Sequence, residues 1–405
     1  MSVQRIGVVG AGTMGRGIAQ LAALGGFEVV LYDAVPEMTD EGAMAIGEAL
    51  AKGVLRGRWS DAEAEAASDR VSTAAASREL AGCELAIEAA PERLDLKRQI
   101  FGELAEACGP DAVLATNTSS LRVTEIAAGV PLPERLVGMH FFNPPVLMNL
   151  VEVVAAERSA PEALAKATAV ADQMGRTPIR AADTPGFVAN RLARPFSLES
   201  LRILGDGVAD AARIDRIVRL GGGFRMGPFE LLDLIGLDVN LEIARSFFAQ
   251  GGEPERWRPS PIQEELVAAG RLGRKSGRGY HSYGEEDERE LDPELGILAP
   301  TLDPEKLALI DPAAEEVLSR LFAQIANEAA FASEADGAST DDMDLAAQLG
   351  LNWPLGPLSF AEKIGAARAV DVLERLETEH GAAYAPAPLL RRAAAEGVPL
   401  RSLGR

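Results

Sequence analysis

The 405-residue sequence predicts a parallel α/β domain followed by two related all-helical domains. Residues 1–182 alternate short apolar runs with helical patterns, which is typical of a parallel sheet. From Asp183 onward the apolar residues recur with a helical period, and strand signals become few. The third observation is an internal repeat in the helical part, in which Glu199 falls on Glu328 and the positions after each match in register.

Five short segments of the first region are predicted to be strands. Each is rich in small or branched apolar residues and is followed by a helical or polar stretch. They are residues 5–10, 28–33, 84–89, 112–116 and 136–141. The stretch from 36 to 67 is too long for a loop inside a compact domain, so we predict that it is helical.

Composition changes mark the expected domain limits. Asp183-Thr-Pro-Gly186 is turn chemistry, so the first domain is expected to span 1–182 and the first helical domain 183–283. Residues 284–312 are acidic and carry four prolines, which indicates a linker or a surface wrap. The second helical domain then covers 313–405.

The two helical regions are related in sequence. With Glu199 placed on Glu328, 199–236 aligns with 328–365 without a gap. The matched positions are Glu199 with Glu328, Asp215 with Asp344, Leu220-Gly221 with Leu349-Gly350, Phe224 with Trp353, Gly227-Pro228 with Gly356-Pro357, Asp233 with Glu362, and Gly236 with Gly365. A Gly-Pro pair that falls on a second Gly-Pro pair in a helical frame indicates a duplicated domain.

Composition and charge exclude several function classes. The net charge of −21 argues against nucleic acid as a partner, because phosphate binding needs clustered Lys and Arg. No apolar run reaches the roughly 18 residues of a membrane helix, and no secretory leader pattern precedes the first strand. Cys83 and Cys108 have neither metal-ligand nor disulfide spacing, and we expect buried thiols. The expectation is a cytoplasmic protein with no metal.

A glycine-rich turn after the first strand predicts a dinucleotide site. It consists of Gly10, Ala11, Gly12, Thr13, Met14 and Gly15. Gly10 permits the tight turn, Gly12 lets the backbone approach a pyrophosphate, and Gly15 lets the following helix, predicted at 16–23, pack on the sheet. The free N–H groups at the helix start then face the phosphates. The alternative is that the glycines only close a strand onto a helix.

Asp33 is the acidic residue expected about 20 positions beyond this turn. It ends the second predicted strand, where a carboxylate can accept hydrogen bonds from both ribose hydroxyls of an adenosine. It would repel a 2′-phosphate, and Ala34-Val35-Pro36 supplies no arginine to offset that repulsion. We therefore predict a Rossmann-type domain with NAD, rather than NADP, as the cofactor.

One of the three histidines is placed for catalysis. Oxidation of a hydroxyl needs a base that titrates near neutrality, and imidazole is the usual choice. His140 ends a predicted strand at the carboxyl edge of the sheet, where such folds hold their ligands. His281 lies in a polar tail and His380 in a loop-like segment, and both are expected to be plain surface residues.

Glu152 is the predicted partner of His140. It lies within Leu-Val-Glu-Val-Val, beyond the pair Pro144-Pro145 that turns the chain back toward the sheet. A lone carboxylate in such a segment is costly unless it is paired, and a histidine partner would have its tautomer fixed and its imidazolium stabilised. The alternative is an edge strand in which Glu152 faces water.

Together these motifs resemble the L-3-hydroxyacyl-CoA dehydrogenase family. The resemblance runs to about Tyr283, and the repeat is similar to members with two C-terminal helical domains of the 6-phosphogluconate dehydrogenase C-terminal-like class. The segments that carry it are 10–15, 92–97, 117–120, 140–144, Glu152, 183–190, 226–229 and 273–280.

The resemblance implies reversible, NAD-dependent oxidation of (S)-3-hydroxyacyl-CoA to 3-oxoacyl-CoA. It implies a role in fatty acid β-oxidation or a related pathway of 3-hydroxybutyryl-CoA or 3-hydroxyadipyl-CoA metabolism. His140 would be the catalytic base, Glu152 its partner, and Ser119 and Asn190 would contact the reacting oxygen. The further contacts that it implies are Glu92, Lys97, Asn117, Ser119, Asn143 and Lys275 for the cofactor, and Ser119, Asn143, Asn190 and Arg56 for the substrate.

The sequence departs from the family pattern in two places. Where the family has a serine and a lysine that contact coenzyme A, this chain has Ala49 and Arg56. Arg56 keeps a cation for phosphate, whereas Ala49 loses a hydrogen bond, so the mode of coenzyme A binding stays open. In the second helical copy Ser319 aligns with Asn190. We expect that copy to be structural, which predicts a monomer with an intramolecular pseudo-dimer of helical domains, or else a homodimer.

Two other function classes fit the same residues. The first is a dehydrogenase of a free 3-hydroxy acid, a sugar acid or a carnitine-like substrate, against which the two phenylalanines after His140 and the helix that carries Arg56 favour a thioester. The second is a protein that binds NAD without catalysis, which the intact set of His140, Glu152, Ser119 and Asn190 argues against. The length and the terminal group of the acyl chain stay open.

Overall fold

The computed structural model describes residues 3–283, 307, 311–335 and 338–404. The chain divides into two compact units, Met1–Phe187 and Val188–Arg405. This division lies near the predicted limit at 182, and the limits at 283 and 312 stay predictions. Apart from Leu307, Asp311 and Pro312, the predicted linker lies outside the described residues.

The first unit is built on one eight-stranded sheet. Its strands are β1 (Arg5–Val9), β2 (Glu28–Tyr32), β3 (Val71–Ala74), β4 (Leu85–Glu88), β5 (Val113–Thr116), β6 (Leu136–Phe141), β7 (Leu150–Ala155) and β8 (Thr177–Ala181). They lie in the order β3-β2-β1-β4-β5-β6-β7-β8, and only β6 and β7 pair antiparallel. The parallel order 3-2-1-4-5-6 is the doubly wound dinucleotide-binding arrangement, which confirms the predicted fold class.

Helices connect the strands of this sheet. They are α1 (Thr13–Leu24), α2 (Pro36–Leu55), α3 (Asp61–Asp69), α4 (Leu94–Ala107), α5 (Val123–Ala127) and α6 (Pro161–Gln173). The prediction that 36–67 is helical is confirmed by α2 and α3. A capping box formed by Ser60 and Glu63 starts α3, which ends the loop between the two helices.

Two edge strands escaped prediction for a physical reason. β3 is four residues long and leaves Ser72 and Thr73 exposed, so it lacks an apolar signal. β8 contains Pro178, a residue that lowers strand propensity and is tolerated at a sheet edge. The five predicted strands carry the buried core instead, because a parallel sheet covered on both faces selects nearly continuous apolar runs.

The two cysteines are buried in this unit, as predicted. Burial raises the pKa of the Cys83 thiol to about 11, with the neighbouring Cys108 adding to the shift. A thiol with a raised pKa is a weak nucleophile at neutral pH, so these residues contribute packing.

The second unit is helical and contains both copies of the repeat. Its helices are α7 (Ala189–Gly205), α8 (Ala211–Gly222), α9 (Pro228–Ile235), α10 (Leu237–Gln250), α11 (Pro261–Ala268), α12 (Ala314–Glu334), α13 (Thr340–Leu345), α14 (Pro357–Ile364), α15 (Ala366–His380) and α16 (Pro388–Glu396). No helix of the described ranges is long and apolar enough to cross a membrane.

Equivalent aspartates of the two copies accept backbone N–H groups at the starts of equivalent helices. Asp215 accepts the N–H of Phe229 at 2.9 Å at the start of α9. Its repeat equivalent, Asp344, accepts the N–H of Leu358 at 2.8 Å at the start of α14. Each carboxylate supplies a partner to a helix N-terminus that its own Gly-Pro start leaves without a side-chain cap.

Helices α7 and α12 join the copies through reciprocal ion pairs. Arg191 of α7 lies 2.7 Å from Glu328 of α12, and Arg320 of α12 lies 2.7 Å from Glu199 of α7. In the register of the repeat Arg191 corresponds to Arg320 and Glu199 to Glu328, so each pair is the image of the other. This exchange is the signature of two-fold related surfaces. The two copies therefore pack as a pseudo-symmetric pair.

Removal of Glu328 tests the energetic weight of this contact. Glu328 is nearly fully buried and accepts hydrogen bonds from Arg191, Arg256 and Trp257. We expect Glu328→Leu to lower the free energy of unfolding by about 3–5 kcal/mol, because a buried guanidinium loses its counter-charge. Equilibrium urea denaturation gives the value.

The control for this measurement is an exposed pair of the same type. Arg368 and Glu315 lie 3.1 Å apart with side chains 57% and 74% exposed. Glu315→Ala should cost less than about 1 kcal/mol. Equal losses in Glu328→Leu and Glu315→Ala would show that burial does not strengthen the contact between the copies.

Candidate active site

The candidate site lies at the carboxyl ends of four neighbouring strands of the first unit. The glycine turn follows β1, the segment 89–92 follows β4, the segment 117–120 follows β5, and His140 lies near the end of β6. Parallel strands of a doubly wound sheet bring such segments to one edge, and ligands bind there. These four segments, which are far apart in the sequence, therefore lie together at one edge of the sheet.

The glycine turn is shaped for an anion. A Cβ on Gly15 would lie 1.7 Å from the carbonyl oxygen of Gly10, so only glycine fits at that position. A Cβ on Gly12, in contrast, would meet no heavy atom of the described residues within 4 Å. Gly12 is the N-cap of α1, whose first turn has no side-chain cap and no acidic residue. Free amides and the positive helix end fit the pyrophosphate of NAD.

Asp33 is tied to this turn by both of its carboxylate oxygens. Oδ2 accepts the N–H of Ala11 at 2.8 Å, and Oδ1 accepts the N–H of Val35 at 3.0 Å. Each oxygen of a carboxylate has a further lone pair, so the group can still accept from a ribose hydroxyl. The position of Asp33 beside the turn therefore fits the predicted choice of NAD.

Lys97 is buried among acceptors of the protein. Its side chain is 1% exposed, and its Nζ lies 2.6 Å from Glu88 Oε1 and 3.2 Å from Glu92 Oε2. The carbonyl oxygen of Ala90, 3.3 Å away, accepts the remaining N–H. An ammonium group has three donors, and all three are in use. These contacts hold the Lys97 ammonium against Glu92. The predicted direct contact of Lys97 with the cofactor stays a prediction.

Glu92 in turn fixes the segment after β5. Its Oε1 accepts the N–H groups of Ser119 and Ser120, both at 3.1 Å, and the hydroxyl of Thr118. Burial tends to raise the pKa of Glu92, but the charge of Lys97 and the hydroxyl hydrogen bonds outweigh it and hold that pKa below its usual value. The carboxylate therefore stays ionised and holds Ser119 at the exposed end of β5.

Asn117 connects the same segment to the strand that carries His140. Its Oδ1 accepts the N–H of Phe141 at 2.9 Å, and its own N–H donates to the carbonyl oxygen of Glu88 at 2.8 Å. Its side-chain oxygen thus joins the ends of β5 and β6. The predicted contact of Asn117 with the cofactor stays a prediction.

His140 and Glu152 form a buried hydrogen-bonded pair. The two residues stand directly opposite each other in the antiparallel ladder of β6 and β7. Nδ1 of His140 lies 2.7 Å from Oε2 of Glu152, and the two residues are 5% and 0% exposed. Because β8 pairs with the outer side of β7, the alternative of an edge strand with Glu152 facing water is wrong.

Two aromatic rings stand beside the imidazole of His140. The ring centroid of Phe142 lies 4.5 Å away and that of Phe187 lies 5.6 Å away. The Nδ1 nitrogen faces Glu152, so Nε2 is the nitrogen that can serve a substrate. Apolar walls lower the local dielectric constant and strengthen the hydrogen bond to the carboxylate.

The remaining predicted site residues are Asn143 and Arg56 in the first unit and Asn190 and Lys275 in the second. Asn143 is exposed just beyond β6. Arg56 is exposed at the end of α2, about two turns beyond the partly buried Ala49. In the second unit Asn190 is the second residue of α7, and Lys275 lies 2.6 Å from Asp238. Their predicted contacts with cofactor and substrate stay predictions.

The expectation that His281 is a plain surface residue was wrong. Its Nε2 lies 2.8 Å from Asp215, and its side chain is 8% exposed. The glycine-rich segment 273–283 folds back so that the N–H groups of Tyr280 and His281 both donate to Asp233 at 2.9 Å. A Cβ on Gly279 would lie 1.9 Å from the same carboxylate, so glycine spacing is the signal that could have revealed the fold-back. His380 is exposed, as predicted.

Glu88 is a buried carboxylate of the candidate site that sequence reasoning missed. It is fully buried in β4 and binds Lys97, the hydroxyl of Thr116 at 2.7 Å and the N–H of Ala90 at 2.7 Å. The signal was available, because a carboxylate inside the apolar strand Leu-Ala-Ile-Glu needs a buried partner for its charge, as Glu152 does in its own strand.

A doubly wound sheet, an uncapped glycine turn and a carboxylate-bound imidazole together define a dinucleotide-dependent oxidoreductase. Family models identify it further. The model described as 3-hydroxyacyl-CoA dehydrogenase, NAD binding domain matches residues 5–184. The model of the C-terminal domain of the same enzymes matches 186–283 and again 317–405. The chain belongs to the 3-hydroxyacyl-CoA dehydrogenase family.

Two relatives and a solved structure match between 69% and 98% of the chain. The 3-hydroxyadipyl-CoA dehydrogenase of Escherichia coli K12 is 36% identical over 97% of this chain and 98% of its own length. A probable 3-hydroxybutyryl-CoA dehydrogenase of Deinococcus radiodurans is 40% identical over 69% of this chain and its full length. A crystal structure of 3-hydroxybutyryl-CoA dehydrogenase from E. coli K12 matches with a TM-score of 0.88 and 34% identity, covering 98% of this chain and 99% of that one.

These matches settle several predictions. The enzyme class, the NAD cofactor and the oxidation of 3-hydroxyacyl-CoA are confirmed by membership of the family. The duplication inferred from the repeat is confirmed, because one domain model matches both helical regions.

Two glycine substitutions separate folding from cofactor binding. Gly15→Ala should lower the melting temperature, because its methyl group would overlap the Gly10 carbonyl. Gly12→Ala should fold normally and raise the KM for NAD by about tenfold or more, because its methyl group enters the space of the pyrophosphate. Calorimetry and steady-state kinetics check the two effects. An unchanged KM for NAD in Gly12→Ala would contradict the assignment of this turn.

Proposed function

We propose that this chain oxidises the C3 hydroxyl of (S)-3-hydroxyacyl-CoA with His140 as the general base and Glu152 as its partner. The observation that carries the proposal is the buried 2.7 Å contact between His140 Nδ1 and Glu152 Oε2. A carboxylate accepts a hydrogen bond from Nδ1–H, so the proton of the neutral imidazole stays on Nδ1 and Nε2 keeps a lone pair. That lone pair is the acceptor that hydroxyl oxidation requires.

The proton and the charge can be followed through the reaction. His140 Nε2 takes the hydroxyl proton, and the electron pair of the broken O–H bond forms the C3=O double bond. NAD held by the glycine turn and Asp33 would supply the acceptor for the hydride that leaves C3 with its electron pair. Glu152 stabilises the imidazolium that results, and in the reverse direction the same imidazolium returns the proton to the oxygen.

Other residues position the reactants. Ser119 and Asn190 hold the reacting oxygen, and Asn143 lies near the reacting centre. Glu92 acts by holding the N–H of Ser119, and Lys97 acts through Glu92. The cofactor is held by the backbone of Gly10, Ala11, Gly12, Thr13, Met14 and Gly15 and by Asp33, with Asn117 and Lys275 as further contacts.

The proposal also includes the acyl chain of the substrate and the metabolic pathway. Arg56 supplies an exposed cation for a phosphate of coenzyme A. The relatives include enzymes named for 3-hydroxybutyryl-CoA, which ends in a methyl group, and for 3-hydroxyadipyl-CoA, which ends in a carboxylate. Both are candidate substrates here, in cytoplasmic fatty acid β-oxidation or a related acyl-CoA pathway.

Substitution of the base is the direct functional test. His140→Gln should lower kcat by on the order of 10³-fold or more, and Glu152→Gln by at least about 10²-fold, since general-base catalysis is lost or weakened. The formation of NADH with 3-hydroxybutyryl-CoA is measured. His380→Gln removes an exposed histidine and should leave the rate unchanged. Near-normal turnover of His140→Gln would contradict the proposal.

The same assay separates the rival functions. Activity on free 3-hydroxybutyrate alone would favour a dehydrogenase of free acids. No activity on the free acid or the thioester, with NAD still bound, would favour a protein that binds NAD without catalysis.

We propose in addition that the enzyme is a monomer in which the second helical copy takes the place of a partner subunit. The reciprocal pairs of Arg191 with Glu328 and Arg320 with Glu199 support it, because they already bury the surface that a two-fold dimer would share. Analytical ultracentrifugation should show one 42.7 kDa species at micromolar concentration. A tight dimer mediated by residues 313–405 would contradict it.

A further inference from the structure

Arg194 is a buried arginine on the helix that carries Asn190. The two residues are four positions apart in α7, so they lie on the same face, one turn from each other. Arg194 is 7% exposed, and its Cζ lies 5.0 Å from the ring centroid of Phe247 on α10. The guanidinium therefore stands in an apolar place within the second unit.

This guanidinium lacks the acceptors that its neighbours have. Arg191, three residues earlier, binds Glu328, and Arg320 binds Glu199. Nε and Nη1 of Arg194 are buried and have no hydrogen-bond partner among the residues that the structure describes. The ring of Phe247 attracts a cation but accepts no conventional hydrogen bond.

The charge on Arg194 persists in spite of this burial. Desolvation lowers the pKa of Arg194 to about 10, so the group is still a cation at neutral pH. A buried cation is costly unless an anion accepts its hydrogen bonds. The described part of the chain offers no such anion, which points to a ligand.

The repeat shows that the fold does not require an arginine here. In the register that pairs Arg191 with Arg320, Arg194 corresponds to Ala323 of α12, which is fully buried. Both helices pack in the same pseudo-symmetric pair, so an alanine suffices for packing at the equivalent place. The arginine is thus specific to the copy that also carries Asn190.

We propose that Arg194 binds the terminal carboxylate of a dicarboxylic 3-hydroxyacyl chain and so selects substrates that end in a carboxylate. The inference rests on the proposed role of Asn190 at the reacting oxygen. One helical turn advances about 5.4 Å. In a six-carbon acyl chain, C6 lies roughly 4 Å from C3, since three bonds of about 1.5 Å separate them. A carboxylate there reaches the fork of a guanidinium one turn from Asn190.

The same geometry disfavours a phosphate of coenzyme A as the anion. The thioester carbon C1 and the terminal carbon of the chain lie on opposite sides of C3. With the reacting oxygen at Asn190, a chain that runs toward Arg194 leads the thioester and its phosphates away from it. Arg194 is a planar fork that can bind a carboxylate through two parallel hydrogen bonds.

A matched pair of substrates tests the inference on the full-length enzyme. 3-Hydroxyadipyl-CoA and 3-hydroxyhexanoyl-CoA have the same number of carbons and differ in the terminal group. We expect wild-type kcat/KM to favour the dicarboxylic substrate by at least about tenfold. Arg194→Met should lower that ratio by roughly 10- to 100-fold, and Arg194→Lys should retain part of the preference.

A control of equal charge comes from the helix that supplies Phe247. Arg245 of α10 is 57% exposed and paired with Glu264. Arg245→Met removes the same charge from the same unit and should leave the substrate ratio at its wild-type value. If Arg194→Met fails to fold, the wild-type ratio and that of Arg194→Lys still decide the question.

Several outcomes would overturn the inference. A wild-type ratio of one or less would do so, and so would a ratio that Arg194→Met leaves unchanged because both substrates lose equally. An equal loss on both CoA esters that vanishes with N-acetylcysteamine thioesters, which carry no phosphate, would assign Arg194 to coenzyme A instead. A wild-type enzyme inactive on both CoA esters, or a fully active His140→Gln variant, would contradict the proposed function rather than this inference.

Discussion

The antiparallel pairing of β6 with β7 sets the chemistry of the first unit. Its register places His140 opposite Glu152, and a slip of one residue would turn Glu152 to the other face of the sheet. The register is fixed on both sides, because β7 also pairs with β8. A fully buried carboxylate needs hydrogen-bond partners, and the imidazole of His140 lies 2.7 Å from it. The imidazole that we propose as the catalytic base is therefore oriented by the sheet itself.

The same principle organises the cofactor side of the sheet. Glu88 is a second carboxylate inside an apolar strand, and Lys97 compensates its charge. Lys97 also approaches Glu92, which holds the N–H of Ser119. A chain of buried charges thus leads from the interior of β4 to an exposed serine. Removing one member would leave a buried charge without its partner, which destabilises the fold. The members therefore position the site as one unit.

Sequence periodicity was sufficient for the elements that carry the core. The five predicted strands are apolar and buried, so their patterns are strong, whereas the helical stretch after Asp33 was predicted from its length. β3 and β8 lie at sheet edges, where half of the side chains meet solvent or a proline interrupts the run, and no pattern marked them. Side-chain patterns along one segment predict that segment, and edge strands give little of that signal.

The candidate site was predictable where chemistry and position coincide. His140 and Glu152 are a base and an acid within apolar segments. Titratable residues are unusual in such segments, and this contrast marks the two as candidate site residues. The burial of His281 depends on a fold-back of 273–283 onto Asp233, for which the glycine spacing of the segment gives a signal but not the partner. The lack of a hydrogen-bond partner for Nε and Nη1 of Arg194 among the described residues is likewise a property of three-dimensional packing. Charges that are satisfied locally can be foreseen from sequence, and those that depend on distant segments cannot.

The duplication explains how one chain carries two kinds of buried arginine. Arg191 and Arg320 are equivalent residues that hold the two helical copies together, and both have carboxylate partners. Arg194 has an alanine as its equivalent and therefore lies outside this shared framework. The duplicated domain separates the residues that its fold requires from those that one copy has acquired for binding.

The tautomer of His140 tests the central claim most directly. The chain has three histidines, so ¹⁵N-histidine labelling gives few signals to assign, with His140→Gln identifying the relevant one. The account predicts that neutral His140 carries its proton on Nδ1 and leaves Nε2 unprotonated, and that Glu152→Gln weakens this preference. A neutral His140 that carries its proton on Nε2 in the wild-type enzyme would contradict the assignment of this residue as the base.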